Sequence, residues 1–122
     1  NVLIGNGDMH LKNWSLIYPD RRNARLAPAY DFVSTIPHIA SDKSALTFSR
    51  TKDFNGFTTD ELAHLSAKAN LPKRLVLDTA KETVALFMER WETEKTNLPM
   101  HNDVVEAIDR HLTTLPIVTG KG

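Results

Sequence analysis

The chain has 122 residues, 41% hydrophobic and 25% charged, a balance that fits one ordinary globular domain. Fifteen basic residues match 15 acidic ones and cysteine is absent, so there is no electrostatic case for direct nucleic-acid binding, and disulfides and thiolate metal sites are excluded. No apolar run approaches the length of a membrane span, no signal peptide is visible, and a reducing cytoplasm is compatible with the composition. The chain starts at Asn1 inside an apolar run, which reads as a piece cut from a longer protein.

In chain order, Val2-Leu3-Ile4 before Gly5-Asn6-Gly7 reads as the last turn of a helix stopped by glycine. The polar stretch from Gly5 to Ser15 follows. Trp14-Ser15-Leu16-Ile17-Tyr18 and Arg25-Leu26-Ala27 are strand candidates, and Pro19-Asp20-Arg21-Arg22-Asn23 supplies the turn of a hairpin. Residues 36–57 read as a long loop with one short strand near Leu46-Thr47-Phe48. From residue 58 the pattern is helical. Thr58 and Glu61 have the spacing of a capping box, Leu62, Leu65 and Ala69 follow at helical intervals, and Asn70-Leu71-Pro72 closes the segment. Pro72 can open the next helix at its first position. There Leu77, Ala80, Val84, Phe87, Met88 and Trp91 form one apolar stripe. A third helix carries Val105, Ile108, Leu112 and Leu115. The spacing predicts helices over 59–69, 73–94 and 103–114, with Leu77, Val84, Phe87, Trp91, Ile108 and Leu112 in one core. The expected class is mainly α, with irregular loops and a hairpin over 1–57 and a helical part over 58–122.

The polar stretch carries the chemistry. Asp8 and Asn13 stand five positions apart, and Asp31 follows 18 residues later, beyond the hairpin. A hairpin returns the chain to its starting point, so Asp31 can sit beside Asn13. Two carboxylates and a carboxamide oxygen are hard ligands of the kind magnesium takes together with phosphate oxygens. Phosphoryl transfer uses such a set: Asp, four intervening residues and Asn supply a base and one metal ligand, and a later Asp supplies the other. Each residue also has a plainer reading. Asp8 can cap a turn, Asp31 can be a surface acid, His10 can hydrogen-bond the loop backbone, and Lys12 can be a solvated lysine. Arg21, Arg22 and Arg25 read as a solvated hairpin tip. His38, His64, His101 and His111 are too scattered for a zinc site.

Ile4-Gly5-Asn6-Gly7-Asp8-Met9-His10-Leu11-Lys12-Asn13-Trp14-Ser15, continued through Leu26-Ala27-Pro28-Ala29-Tyr30-Asp31, resembles the C-terminal lobe of the HipA-like serine/threonine kinases, the toxins of bacterial toxin–antitoxin pairs. The resemblance rests on about the first quarter of the chain. It implies the C-terminal lobe of a protein-kinase-like fold, with Asp8 as catalytic base, Asn13 and Asp31 as magnesium ligands, and His10 and Lys12 beside the transferred phosphate. It further implies ATP as donor, a protein hydroxyl as acceptor (in one member, on glutamyl-tRNA synthetase) and a DNA-binding antitoxin as partner. No Gly-rich phosphate loop occurs in these 122 residues, so the nucleotide-binding N-terminal lobe is expected outside this piece, which should be inactive alone. Two rival readings are a kinase of another substrate class, lipid or small molecule, since lipid kinases also carry Gly-Asp-x-His ahead of Asn, and a non-catalytic kinase-like lobe kept for binding.

Overall fold

In the computed structural model, which describes residues 1–121, helices form where the caps and stripes place them. Helix α1 spans Thr59–Lys68, α2 Lys73–Glu94 and α3 Asn102–Thr114, and a further short α4, Pro116–Thr119, follows. Thr58 caps α1, its hydroxyl accepting the Glu61 amide at 3.0 Å. The reciprocal half of the capping box does not form, because the Glu61 carboxylate turns back to residues 49–51 instead. It accepts the Ser49 amide at 2.8 Å, the Arg50 amide at 2.5 Å and the Arg50 Nε at 2.7 Å. Asn70 ends α1 in the left-handed region, with φ 54°. Its amide returns to the Ala67 carbonyl and that of Leu71 to the Ser66 carbonyl, the paired bonds of a Schellman cap. Pro72 stands one residue ahead of α2 as its cap rather than inside it.

Leu3, Phe54, Trp91, Ile108, Leu112 and Leu115 form the buried cluster, and Val84, Phe87 and Met88 pack against it from α2. Trp91 stacks on Phe87 with centroids 5.9 Å apart, and its indole N–H donates to Asp109 at 2.7 Å. Leu77 is half-buried but lies outside this cluster, contrary to the single-stripe expectation. It precedes Trp91 by 14 residues, roughly 21 Å along a helix axis. That is too far for one compact cluster to reach both, and α2 also packs on α1.

The first half is irregular. The Gly5 amide bonds the Val2 carbonyl at 3.1 Å and the Asn6 amide the Asn1 carbonyl at 3.0 Å, with Gly5 at φ 63°. This is helix-end pairing, carried here by a turn over residues 2–5. Strands β1, Leu16–Ile17, and β2, Arg25–Leu26, pair antiparallel, with Leu16 opposite Leu26 and Ile17 opposite Arg25. The Asp20 carboxylate closes their turn by accepting the amides of Asn23 and Arg22 and the Asn23 side chain, which together hold its pKa down at about 2. No strand forms near Leu46-Thr47-Phe48. The Phe48 amide closes a turn onto the Thr51 carbonyl at 2.9 Å, and the next two amides go to Glu61. Among the described residues, no helix is long and apolar enough to cross a membrane.

Candidate active site

The loop from Gly5 to Asn13 is shaped by side chains bonding to backbone. Asn6 is buried. Its Nδ2 donates to Asn1 Oδ1 at 2.6 Å, and its Oδ1 accepts the Asp8 amide at 2.9 Å, an Asx turn that sets the direction of the chain at Asp8. A single 3-10 turn over Leu11–Asn13 then reverses the chain. This reversal explains the four-residue gap, since it returns the Asn13 side chain to Asp8, where Nδ2 donates to the backbone carbonyl at 3.0 Å. A carbonyl only accepts, so the amide end of Asn13 must face it, and Oδ1 is the free end. His10 Nε2 lies 3.2 Å from Asp8 Oδ1, both side chains being about half exposed. The histidine therefore pairs with the carboxylate rather than with the loop backbone. The Lys12 side chain is exposed, and its carbonyl accepts the Tyr30 hydroxyl at 3.2 Å.

That hydroxyl links the two halves of the site. It also bonds Ser15 Oγ at 2.6 Å, while the Ala27 amide donates to the Ser15 carbonyl at 2.8 Å and extends the hairpin. The residue after Tyr30 is thereby brought to the side of the 11–13 turn. Asp31 adopts φ 58°, in the left-handed region that Asp enters more readily than most non-glycine residues. Among the described residues its carboxylate has no hydrogen bond or ion pair. Asn13 and Asp31 line one cleft with Trp14, Ser15 and Tyr30, and Asp8 is not part of its wall. An oriented carboxamide oxygen and an uncommitted carboxylate in one cleft fit a hard cation. Among the described residues, no three His, Asp or Glu side chains gather into a metal site of their own.

The motif does not contain every residue that shapes the loop. The Gly7 amide donates to Thr35 Oγ1 at 2.8 Å, the Thr35 amide donates to the Gly5 carbonyl at 3.1 Å, and the Thr35 hydroxyl makes a short hydrogen bond to the Asp42 carboxylate. Thr35 lies 28 residues from Gly7 and 30 from Gly5, and no local pattern marks it. His111 on α3 reaches the same region, its Nε2 donating to the Val2 carbonyl at 2.8 Å. Burial pushes its pKa below the usual histidine value.

A loop with this Asp and Asn, a hairpin and a following Asp, set on a mainly helical body, is the architecture of a kinase-type C-terminal lobe. The chain belongs to the HipA-like C-terminal domain family, whose model matches residues 1–91. It is 59% identical over 118 residues to the protein named "Putative kinase Y4dM" of Sinorhizobium fredii, covering 96% of this chain and 29% of that one. It is 29% identical over 97 residues to "Putative kinase Y4mE" of the same organism, covering 73% of this chain and 23% of that one. Among solved structures, it superposes on a chain of the Shewanella oneidensis MR-1 toxin–antitoxin complex of HipA, HipB and operator DNA. The TM-score is 0.73 at 22% identity, over 98% of this chain and 28% of that one, a likeness of fold. The chain thus spans under a third of the length of these relatives.

Proposed function

We propose that this chain is the part of a HipA-like serine/threonine protein kinase that carries the catalytic base and the metal ligands. The observation that carries this reading is the pairing of an Asn13 carboxamide, oriented by the Asp8 carbonyl, with the unpaired Asp31 carboxylate across one cleft. In this reading Asn13 and Asp31 hold magnesium through oxygen. When bound with ATP, the metal supplies charge neutralisation on the phosphate oxygens. Asp8 accepts the proton of a serine or threonine hydroxyl as that oxygen attacks the γ-phosphorus and ADP departs. His10 holds one Asp8 oxygen, which leaves the other for the acceptor hydroxyl. Lys12 and His10 offer cationic or hydrogen-bonding groups to the transferred phosphate.

The nucleotide-binding lobe belongs, in this reading, to a longer protein of the length its relatives have. Positioning and electrostatics are nearly the whole of phosphoryl-transfer catalysis, so the 122-residue chain alone binds ATP weakly and transfers nothing. The partner is a DNA-binding antitoxin of the HipB kind, named in the complex of the structural relative. The antitoxin rather than this charge-balanced chain contacts DNA, and the setting is the cytoplasm. A protein acceptor, with aminoacyl-tRNA synthetases as the first class to screen, is preferred to a lipid. The test is radiolabel transfer from ATP by the full-length protein to a serine-containing protein. Asp8→Asn should lower it by about 10²–10⁴-fold, the usual worth of general-base catalysis, with the fold intact. Full activity in that variant, or transfer to lipid alone, would remove the reading.

A further inference from the structure

We infer that Thr35 and Asp42 are positioning residues that lock the catalytic loop from behind, one peptide away from Asp8, an inference that rests on the kinase reading above. The argument begins with one proton. A threonine hydroxyl has a single hydrogen to donate. Two acceptors are within its reach, the Gly5 carbonyl at 3.1 Å and the nearer Asp42 carboxylate. The Gly5 carbonyl already accepts the Thr35 and Ile36 amides, at 3.1 and 3.4 Å. Were the hydroxyl to turn towards Gly5, the Asp42 carboxylate would face the hydroxyl oxygen with no proton between them. The proton therefore lies on the Asp42 side. The hydroxyl oxygen is left with its lone pairs towards the Gly7 amide, which it accepts at 2.8 Å. The result is a directed relay: Gly7 N–H to Thr35 oxygen, Thr35 O–H to the Asp42 carboxylate. The negative end polarises both bonds and strengthens them.

The Gly7 N–H lies in the Asn6–Gly7 peptide, so the relay holds the peptide plane immediately before the one that leads into Asp8. Asn6 Oδ1 accepts the Asp8 amide and so holds the next plane, Gly7–Asp8. The backbone around the base is thus held at two consecutive amides, one by the loop itself and one by the segment that follows Asp31. The close approach also accounts for the residue type at position 7. A Cβ built on Gly7 would stand 2.0 Å from Asp42 Oδ2, so any other residue there would expel the carboxylate. Asp42 is itself oriented, its other oxygen accepting the Lys43 amide at 2.9 Å. Thr35 follows Asp31 by four residues, so the metal-ligand loop and the base loop share one clamp, and a shift of the 35–42 segment would be felt at Asp8.

The experiment uses the full-length protein with Thr35→Val, Thr35→Ser and Asp42→Asn, assayed for magnesium-ATP phosphotransfer and for amide hydrogen exchange over residues 5–9. Thr35→Val keeps the shape and deletes the relay. It should lower kcat about tenfold to a hundredfold, the scale of a ~1 Å misplacement of a reacting group, while KM for ATP stays within about threefold. Exchange over residues 5–9 should accelerate in the same variant without a matching fall in thermal midpoint. Thr35→Ser should restore both readings, and Asp42→Asn, which keeps an acceptor but loses the charge, should fall between. Unchanged exchange in Thr35→Val would overturn the clamp. Accelerated exchange with unchanged kcat would overturn its positioning role, and failure of serine to rescue would count against the hydroxyl. No phosphotransfer by the unaltered full-length protein would instead defeat the kinase reading, leaving the clamp to be judged by exchange alone.

Discussion

Residues 58–121 bury Leu62, Trp91, Ala107, Ile108, Leu112 and Leu115 together with the polar Glu61 and Ser66, whereas residues 1–57 bury only Leu3, Gly5, Asn6, Ser44 and Phe54. The helical half is ordered by apolar burial, a force that is large and tolerant of direction. The loop half is ordered by side chains bonding to backbone, a force that is smaller and directional. Asn6, Asn13, Tyr30 and Thr35 each set the course of a neighbouring loop by a hydrogen bond. The difference teaches how a lobe can keep a carboxylate such as Asp31 exposed and unpaired. The cost of holding it falls on a helical body held mainly by its apolar core, while Leu3 and Phe54 anchor the loops into that body.

This division makes opposite demands on variants in the two halves. Trp91→Ala removes a buried indole that packs on Phe87 and bonds Asp109. It should destabilise the chain by about 3–5 kcal/mol, the usual cost of truncating a buried Trp or Phe. Thermal denaturation of the 122-residue chain reads this directly, and an unchanged midpoint would mean that the helical half is not held by its core.

The tie between the halves at Glu61 should respond to acid. Burial opposes the charged form of Glu61, but the Arg50 amide, the Arg50 guanidinium and the Ser49 amide together outweigh it and hold its pKa down at about 2, below the ordinary 4.5. A depressed folded pKa means that the stabilisation is complete above about pH 4.5 and is lost as pH falls through about 2. The thermal midpoint should therefore drop across that window, and Glu61→Gln should flatten the drop. Asp20 titrates in the same range, so the Glu61 share is the difference between the variant and the unaltered chain. A midpoint that falls identically in both would show that the 49–51 loop is not held by this carboxylate.

Tyr30→Phe should have the smallest effect on stability. It removes one exposed hydroxyl shared between Ser15 and the Lys12 carbonyl, and a hydrogen bond contributes about 0.5–1.5 kcal/mol at most in such exchanges. Its effect on magnesium dependence in the full-length protein should be larger in proportion, since the hydroxyl ties the Asp31 loop to the Asn13 turn. If stability fell more than activity, the contrast between the two halves would not hold.

The helical half was largely legible in the sequence. Stripe periodicity and the Thr58 and Asn70 caps located α1, α2 and α3 to within a residue or so, because burial writes a repeating pattern. A four-residue helix such as α4 has no room for a period, and it went unseen. Leu77 fits the α2 stripe but lies outside the cluster, since periodicity gives a face and not its extent along a long helix. In the loop half, the order of Asp8, Asn13 and Asp31 around a hairpin leads to the expectation that all three gather; Asn13 and Asp31 line one cleft, and Asp8 lies outside its wall. Thr35, Asp42 and the diverted Glu61 carboxylate were not legible, because their partners are distant in the chain and follow no spacing rule. The strand expected at Leu46-Thr47-Phe48 does not form: the Phe48 amide turns onto the Thr51 carbonyl, and the Ser49 and Arg50 amides that follow are taken by the Glu61 carboxylate.

The central claim gives Asp8 and Asp31 different jobs, and a magnesium series on the full-length protein separates them. Phosphotransfer from labelled ATP to a serine-containing protein would be measured for the unaltered protein, Asp8→Asn and Asp31→Asn as magnesium is raised. Asp31→Asn removes a full negative charge from a hard cation's shell, so added magnesium should restore part of its activity. Asp8→Asn removes the base, and an amide is a very poor one, so no concentration of magnesium should restore it. That separation is the predicted result. Full activity in Asp8→Asn, or equal rescue of both variants, would contradict the roles assigned to the two aspartates.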